Sequence, residues 1–147
     1  PAFAVPLTSA NGYEDYYLSF EVDEPLHRWN LLDGLISDTT VPMEAQQQNT
    51  LPLYHALFYE DAIVLKHLQS KSVSILSNRH GHGIEFRFEG FPHRGIWGAR
   101  DANFVCIEPW CGHADSIHHN QQLAEKEGII SLPAGEHWCK QWMVSCF

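Results

Sequence analysis

Residues 83–89 read Gly83-Ile84-Glu85-Phe86-Arg87-Phe88-Glu89 and alternate between apolar and charged side chains from Ile84 onward. Successive side chains of a β-strand point to opposite faces, so this alternation predicts a strand with one face in the core. Similar alternation occurs upstream in Tyr16–Val22 and in Ser72–Leu76. The chain is therefore predicted to be rich in β-structure.

The rest of the chain extends this pattern. Apolar runs predict strands at Ala62–Leu65 and Phe104–Glu108, the second of them central, and the last ten residues, Trp138–Phe147, predict a closing strand. Asp33-Gly34 predicts a tight turn. Short strands spaced by about ten residues, with Gly and Pro between them, are typical of an antiparallel sandwich or barrel. We find no linker or repeat and predict a single domain over residues 1–147.

The composition argues against two classes of binding partner, nucleic acids and membranes. Hydrophobic residues make up 44% of the chain, as in an ordinary globular domain. The net charge of −9 would repel a phosphate backbone, so we expect no nucleic-acid partner. The chain has neither a basic amphipathic segment nor a bilayer-length apolar run, so we expect no membrane partner. Pro1–Pro6 lacks the basic start of a signal peptide, and we expect a cytoplasmic protein.

The best catalytic candidate is Glu108, which follows the apolar run that begins at Phe104. We expect it to end its strand, because Pro109 has no N–H to continue the ladder. A carboxylate there, beside Trp110, would be partly desolvated, and such an environment suits proton transfer. On the pattern alone, the alternative is a strand-end glutamate that points into solvent.

Three further residues are candidates for binding a sugar. The rings of Trp97 and Trp110 could stack on the apolar face of a sugar, and the alternative for each, which the pattern alone favours, is ordinary core or rim packing. Asp61 stands at the start of an apolar strand and could accept hydrogen bonds from hydroxyl groups. The alternative for Asp61 is a solvated turn residue.

The ten histidines raise the question of a metal site. His80-Gly81-His82, with Glu85 or Glu89, loosely resembles the metal-binding signature of cupins. For that signature, Glu85 comes too early after His82 and Glu89 comes too late. The segment is equally typical of a hairpin turn. We therefore expect neither a metal nor a cofactor.

Several blocks of the sequence resemble one known family. Phe91–Trp97 and Phe104–Asp115, followed by Glu125–Ile130 and Leu132–Glu136, are similar in order and spacing to the LacX-type branch of the aldose 1-epimerase family. The upstream blocks that also fit are Pro1–Phe3, Glu14–Leu18, Leu51–Leu53, Leu57-Phe58 and Asp61–Lys66. The resemblance extends over nearly the whole chain, but it covers only the later half of a family member.

The resemblance implies a fold and an activity. The fold would be the C-terminal portion of a large antiparallel β-sandwich, the galactose mutarotase-like supersandwich, without its N-terminal half. Family members interconvert the α and β anomers of aldoses without a cofactor. Glu108 would be the base that acts on the C1 hydroxyl, and Asp61 would bind sugar hydroxyls.

The resemblance also implies that part of the site lies outside this chain. The family's acid histidine stands directly before the segment that matches Pro1–Phe3, so we expect the 147 residues alone to have weak or no activity. An exposed face of half a sandwich would favour association with the missing half or a homo-oligomer. The alternative function is a carbohydrate-binding or sugar-sensing module without turnover.

Overall fold

The computed structural model describes residues 3–6 and 12–147, which form eleven β-strands and three short 3₁₀ helices. The strands are β1 (Phe3–Pro6), β2 (Tyr16–Phe20), β3 (His27–Leu32), β4 (Leu35–Pro42), β5 (Thr50–Pro52), β6 (Ile63–Lys66), β7 (Ser72–Ser77), β8 (Ile84–Arg87), β9 (His93–Trp97), β10 (Phe104–Trp110) and β11 (Met143–Cys146). The 3₁₀ helices are Tyr13–Asp15, His55–Phe58 and Leu123–Glu125. None of the described helices has the length and hydropathy needed to cross a bilayer.

The strands form two antiparallel sheets. One has six strands in the order β1-β10-β9-β6-β3-β4, and the other has five in the order β11-β8-β7-β2-β5. The chain passes from one sheet to the other after β1, β2, β4, β5, β6, β8 and β10, so neither sheet is built from one continuous stretch of sequence. The predicted all-β antiparallel sandwich is confirmed.

The core lies between the two sheets. Leu18 and Phe86 of the five-stranded sheet belong to the same buried cluster as Ile63, Ile96 and Ile107 of the six-stranded sheet. These five side chains are at most 1% exposed. Burying a side chain of this size contributes about 1.5–3 kcal/mol, so these contacts are a main source of the sandwich's stability.

Most of the sequence predictions agree with the strands and turns. The alternating segments around β2, β7 and β8 form strands, and the apolar side chains of Phe86 and Phe88 are buried. Asp33 and Gly34 form the β3–β4 turn with φ angles of 51° and 79°. Two consecutive positive φ angles are the signature of a type I′ hairpin, which twists in the same sense as its strands.

Two predictions about strand ends are wrong. Strand β10 does not stop at Glu108 but continues through Pro109 to Trp110. Among the described residues, β1 pairs with β10 from Phe104 to Ile107, and Pro109 pairs with Arg94 of β9, so the missing N–H does not end the strand. The last strand covers only Met143–Cys146, and the residues from 138 to 142 are irregular.

The face of the six-stranded sheet that points away from the core carries Glu108 and Trp110. Glu108, Gly95 and Val64 are directly opposite one another on β10, β9 and β6. Two residues further along the same strands, Trp110 is opposite His93, which pairs with Lys66 on its other side. Because side chains alternate with period two, both rows lie on one face. This face is called the outer face below.

Candidate functional site

A cleft on the outer face brings together all four residues singled out from the sequence. Asp61, Trp97, Glu108 and Trp110 line a depression of about 270 Å³. The other lining residues are small or apolar: Leu31, Gly34, Ile36, Ala62, Val64 and Ala114. The structure thus places the four candidates around one space, while the role of each stays a prediction.

Glu108 is half-buried and held by its neighbour on the strand. Its Oε2 accepts a hydrogen bond of 3.1 Å from Nε1 of Trp110, two residues along β10 on the same face. No residue that the structure describes donates a hydrogen bond to Oε1. One oxygen of the carboxylate is therefore fixed, and the other is available to a ligand.

The position of Trp110 depends on a glycine. A Cβ atom at Gly95 would stand 2.4 Å from Cζ2 of Trp110 and 2.8 Å from two further ring atoms. Real Cβ atoms do not approach other atoms so closely, so the indole lies against β9 only because residue 95 has no side chain. In this position the indole N–H reaches Glu108.

Asp61 stands just before β6 in a strained conformation. Its φ angle is 105°, a value that side-chain-bearing residues rarely adopt. Its Oδ1 accepts a hydrogen bond of 2.6 Å from the backbone N–H of Ala62. Strain of this kind costs about 1–3 kcal/mol and is concentrated at binding and catalytic sites. The residue is exposed, so core packing does not explain why the strain is retained.

The remaining lining of the cleft is aromatic and apolar. Trp97 is half-buried and meets Phe104 edge to face at 5.7 Å between ring centroids. Ala62 and Val64 are buried and lie between the indoles and the β3–β4 hairpin. Two indole rings, an apolar floor and two carboxylates suit a ligand that has both a C–H face and hydroxyl donors.

A second group of side chains lies beside this cleft, and no pattern in the sequence predicts it. His93, His113 and Glu127 each place one possible ligand atom within 4.8 Å of the others, the only such group among the residues the structure describes. Burial, helped by the neighbouring His113 and His67, lowers the pKa of His93 to about 4, so the ring is neutral at pH 7. These residues are far apart in sequence, and no spacing motif connects them.

The histidine pair that the sequence did single out lies elsewhere. His80 and His82 belong to the loop between β7 and β8, as the hairpin interpretation predicts, with ring centroids 5.6 Å apart. The two carboxylates considered with them have other partners, because Glu85 binds Arg87 and Glu89 binds Lys71. The cupin-like grouping is therefore not assembled.

Comparison with known proteins gives relatives but no matching family model. The chain is 34% identical over 139 residues to the plasmid and chromosomal LacX proteins of Lactococcus lactis subsp. lactis, a match that covers 90% of this chain and 45% of theirs. The resemblance to the LacX-type branch of the aldose 1-epimerase family is confirmed. This LacX-like chain spans about half the length of the curated relatives it matches.

Two solved structures support the fold of the LacX-like chain. A galactose mutarotase-like protein from Lactobacillus casei ATCC 334 superposes with a TM-score of 0.77 at 26% identity, over 98% of this chain and 49% of that one. A galactose mutarotase related enzyme from Lactobacillus acidophilus superposes with a TM-score of 0.75 at 24% identity, over 99% and 48% of the two chains. The LacX-like chain therefore has a galactose mutarotase-like sandwich fold.

The contact between Gly95 and Trp110 generates a prediction. In the Gly95→Ala variant we expect the indole to move and its hydrogen bond to Glu108 to be lost. Overpacking of this kind should lower the free energy of unfolding by about 1–3 kcal/mol. The position of the Trp110 indole N–H resonance in a ¹H–¹⁵N spectrum and a denaturant titration measure the two effects.

Gly81→Ala is the matched control, since a Cβ there meets no atom within 4 Å. It should leave the Trp110 resonance in place. An unchanged Trp110 resonance in Gly95→Ala would show that the glycine does not set the position of the indole.

Proposed function

We propose that this chain contributes the catalytic base and part of the sugar pocket of an aldose 1-epimerase, which interconverts the α and β anomers of a hexose or hexose derivative. The observation that carries the proposal is the convergence of Glu108, Asp61, Trp97 and Trp110 in one cleft. Kinship with LacX and the likeness to a galactose mutarotase-like protein support the same class of reaction.

The reaction requires two proton transfers at opposite sides of the sugar ring. A base takes the proton from O1 while an acid gives one to O5, and the C1–O5 bond breaks to leave an open-chain aldehyde. Rotation about the C1–C2 bond then exposes the other face of the carbonyl to O5, and the transfers reverse. Each transferring group must lie within hydrogen-bond reach of its own oxygen.

Glu108 suits the role of the base. The indole N–H of Trp110 stabilises the ionised carboxylate and holds one of its oxygens. Oε1 is then the atom that receives the O1 proton. The half-buried position limits access of water, which strengthens the interaction between the carboxylate and the hydroxyl.

The other parts of the cleft would bind the sugar ring. The indoles of Trp97 and Trp110 offer surfaces for the C–H face, and Asp61 offers an acceptor for hydroxyl groups. The acid that protonates O5 is, by the family resemblance, a histidine directly before the segment that matches Pro1–Phe3. The tests below therefore use the intact gene product. A cytoplasmic location and association with the other half of the sandwich stay predictions.

The role of Glu108 is tested by anomer exchange. In Glu108→Gln the side chain keeps its shape but loses its basicity, so the exchange rate should fall by about 10²–10⁴. Two-dimensional exchange NMR on galactose and on glucose measures this rate at equilibrium. The exposed Glu136→Gln is the matched control and should exchange at the parental rate.

Two outcomes would contradict this assignment. A Glu108→Gln variant that exchanges anomers as fast as the parent would exclude Glu108 as the base. If the intact parent itself gives no exchange but still binds sugar, the chain belongs to a binding or sensing module rather than to an epimerase.

The strain at Asp61 gives a second prediction. Asp61→Gly relieves the unfavourable φ but removes the carboxylate, so the free energy of unfolding should stay within about 1 kcal/mol of the parent while sugar affinity falls. Gln48→Gly is the matched control, since Gln48 also has a positive φ, of 52°, and does not line the cleft. Denaturant titration and sugar titration followed by tryptophan fluorescence measure both quantities. Loss of stability with unchanged affinity would mean that Asp61 is only structural.

A further inference from the structure

The His93, His113 and Glu127 group lies next to the sugar cleft but is separate from it. His93 is on β9 directly opposite Trp110, and His113 follows three residues after Trp110 along the chain. Glu127 follows the 3₁₀ helix Leu123–Glu125 in the segment between β10 and β11, which folds back so that Gly128 packs against Cys111 and Gly112. The only residue of this loop that lines the cleft is Ala114, beside His113.

The hydrogen bonding of His113 fixes which nitrogen carries a proton. Its Nδ1 lies 2.7 Å from the carbonyl oxygen of Ala114, and a carbonyl can only accept, so Nδ1 is the donor. Metal-binding histidines are usually oriented in this way, with one ring N–H bonded to a carbonyl or carboxylate. The other nitrogen, Nε2, is left to face the interior of the group.

The carboxylate that faces His113 Nε2 favours a cation between the two atoms. This atom is buried and lies 3.2 Å from Oε2 of Glu127, without hydrogen-bond geometry to it. In a neutral ring, the Nε2 lone pair would face a carboxylate oxygen, and the two would repel each other. Either a proton or a metal ion between the two atoms removes this repulsion.

His93 supplies a second unsatisfied nitrogen. The residue is 2% exposed, and its Nδ1 has no hydrogen-bond partner among the described residues. A buried polar atom without a partner costs about 1–3 kcal/mol. His93 also belongs to the group whose possible ligand atoms all lie within 4.8 Å of one another, so the unsatisfied residue is placed where a metal ion could bind it.

Lys66 is the cation that could neutralise Glu127 in place of a metal ion. Its Nζ donates a hydrogen bond of 2.8 Å to Oε2 of Glu127 and stands 4.2 Å from the ring centroid of Trp29. A carboxylate has two oxygens and about four acceptor positions, so Glu127 has room for both Lys66 and a metal ion. Lys66 does not satisfy His93 Nδ1, which remains without a partner.

We propose that His93, His113 and Glu127 bind one divalent transition-metal ion, with Zn²⁺ as the cation that the donors suit best. Two imidazoles and one carboxylate form a three-ligand zinc set that leaves a fourth position for water. Bonds of about 2.0–2.1 Å place tetrahedral ligand atoms about 3.3 Å apart, so the group would contract by about 1.5 Å at its widest. No spacing motif in the sequence indicates this site, because its ligands come from distant segments.

The ion would attach the loop after β10 to the outer face of the sheet. This loop lines a second depression, of about 480 Å³, whose walls include His113 and Glu127, and the depression provides a path by which an ion could enter. Because Ala114 of the same loop lines the sugar cleft, the ion would act there as a positioning element.

The proposal is tested by metal binding and not by activity. The intact gene product, stripped with a chelator, is titrated with Zn²⁺ in a calorimeter. We expect one ion per chain and a rise in melting temperature with Zn²⁺. His93→Gln, His113→Gln and Glu127→Gln should each weaken binding by at least about 10–100-fold. His137→Gln, at an exposed histidine outside the group, is the matched control and should bind as the parent does.

Glu127→Gln separates loss of binding from loss of folding. The Glu127 side chain is 50% exposed, so its replacement should not unfold the protein. Two results would overturn the proposal. One is the absence of Zn²⁺ binding to the parent, in which case the ion pair with Lys66 alone neutralises Glu127. The other is one-to-one binding that remains unchanged in Glu127→Gln and in both histidine variants.

Discussion

The close approach of the Trp110 indole to the backbone of Gly95 is the contact on which the outer face depends. A side chain at residue 95 would occupy the space of the indole ring, and the ring could no longer hold Oε2 of Glu108. The same glycine stands directly opposite Glu108, so the residue paired with Glu108 on β9 places no side chain over the carboxylate. One missing side chain thus makes room for the ring and leaves the acid accessible.

The antiparallel register extends this arrangement across three strands. Two residues beyond the row that contains Glu108 and Gly95, the pairing of Trp110 with His93 places an imidazole beside the indole. The opposite face of the same strands carries Ile107, Ile96 and Ile63 into the core. A shift of one residue between β9 and β10 would exchange the two faces, so packing of the core also fixes the geometry of the site.

The sequence predicts the parts of this structure that depend on local pattern. Alternation of apolar and polar side chains predicts β2, β7 and β8. Asp33-Gly34 predicts a hairpin because a type I′ turn needs a positive φ at both central positions, which few residue types adopt. The grouping of Asp61 with Glu108 was expected from the family resemblance and not from spacing. The strand end at Glu108 was misplaced because Pro109 keeps its pairing with Arg94 of β9, which depends on strand register and not on local sequence. The group around His113 depends on strand register and on the return of a loop, and neither leaves a local signal.

In the proposed function, the cleft around Glu108 binds a hexose with its anomeric hydroxyl at the carboxylate. The decisive measurement is a crystal structure of the intact gene product with a bound hexose. We expect O1 at about 3 Å from Oε1 of Glu108 and the apolar face of the ring against an indole of the cleft. A hexose bound elsewhere on the sandwich, or bound in the cleft with O1 turned away from Glu108, would contradict it.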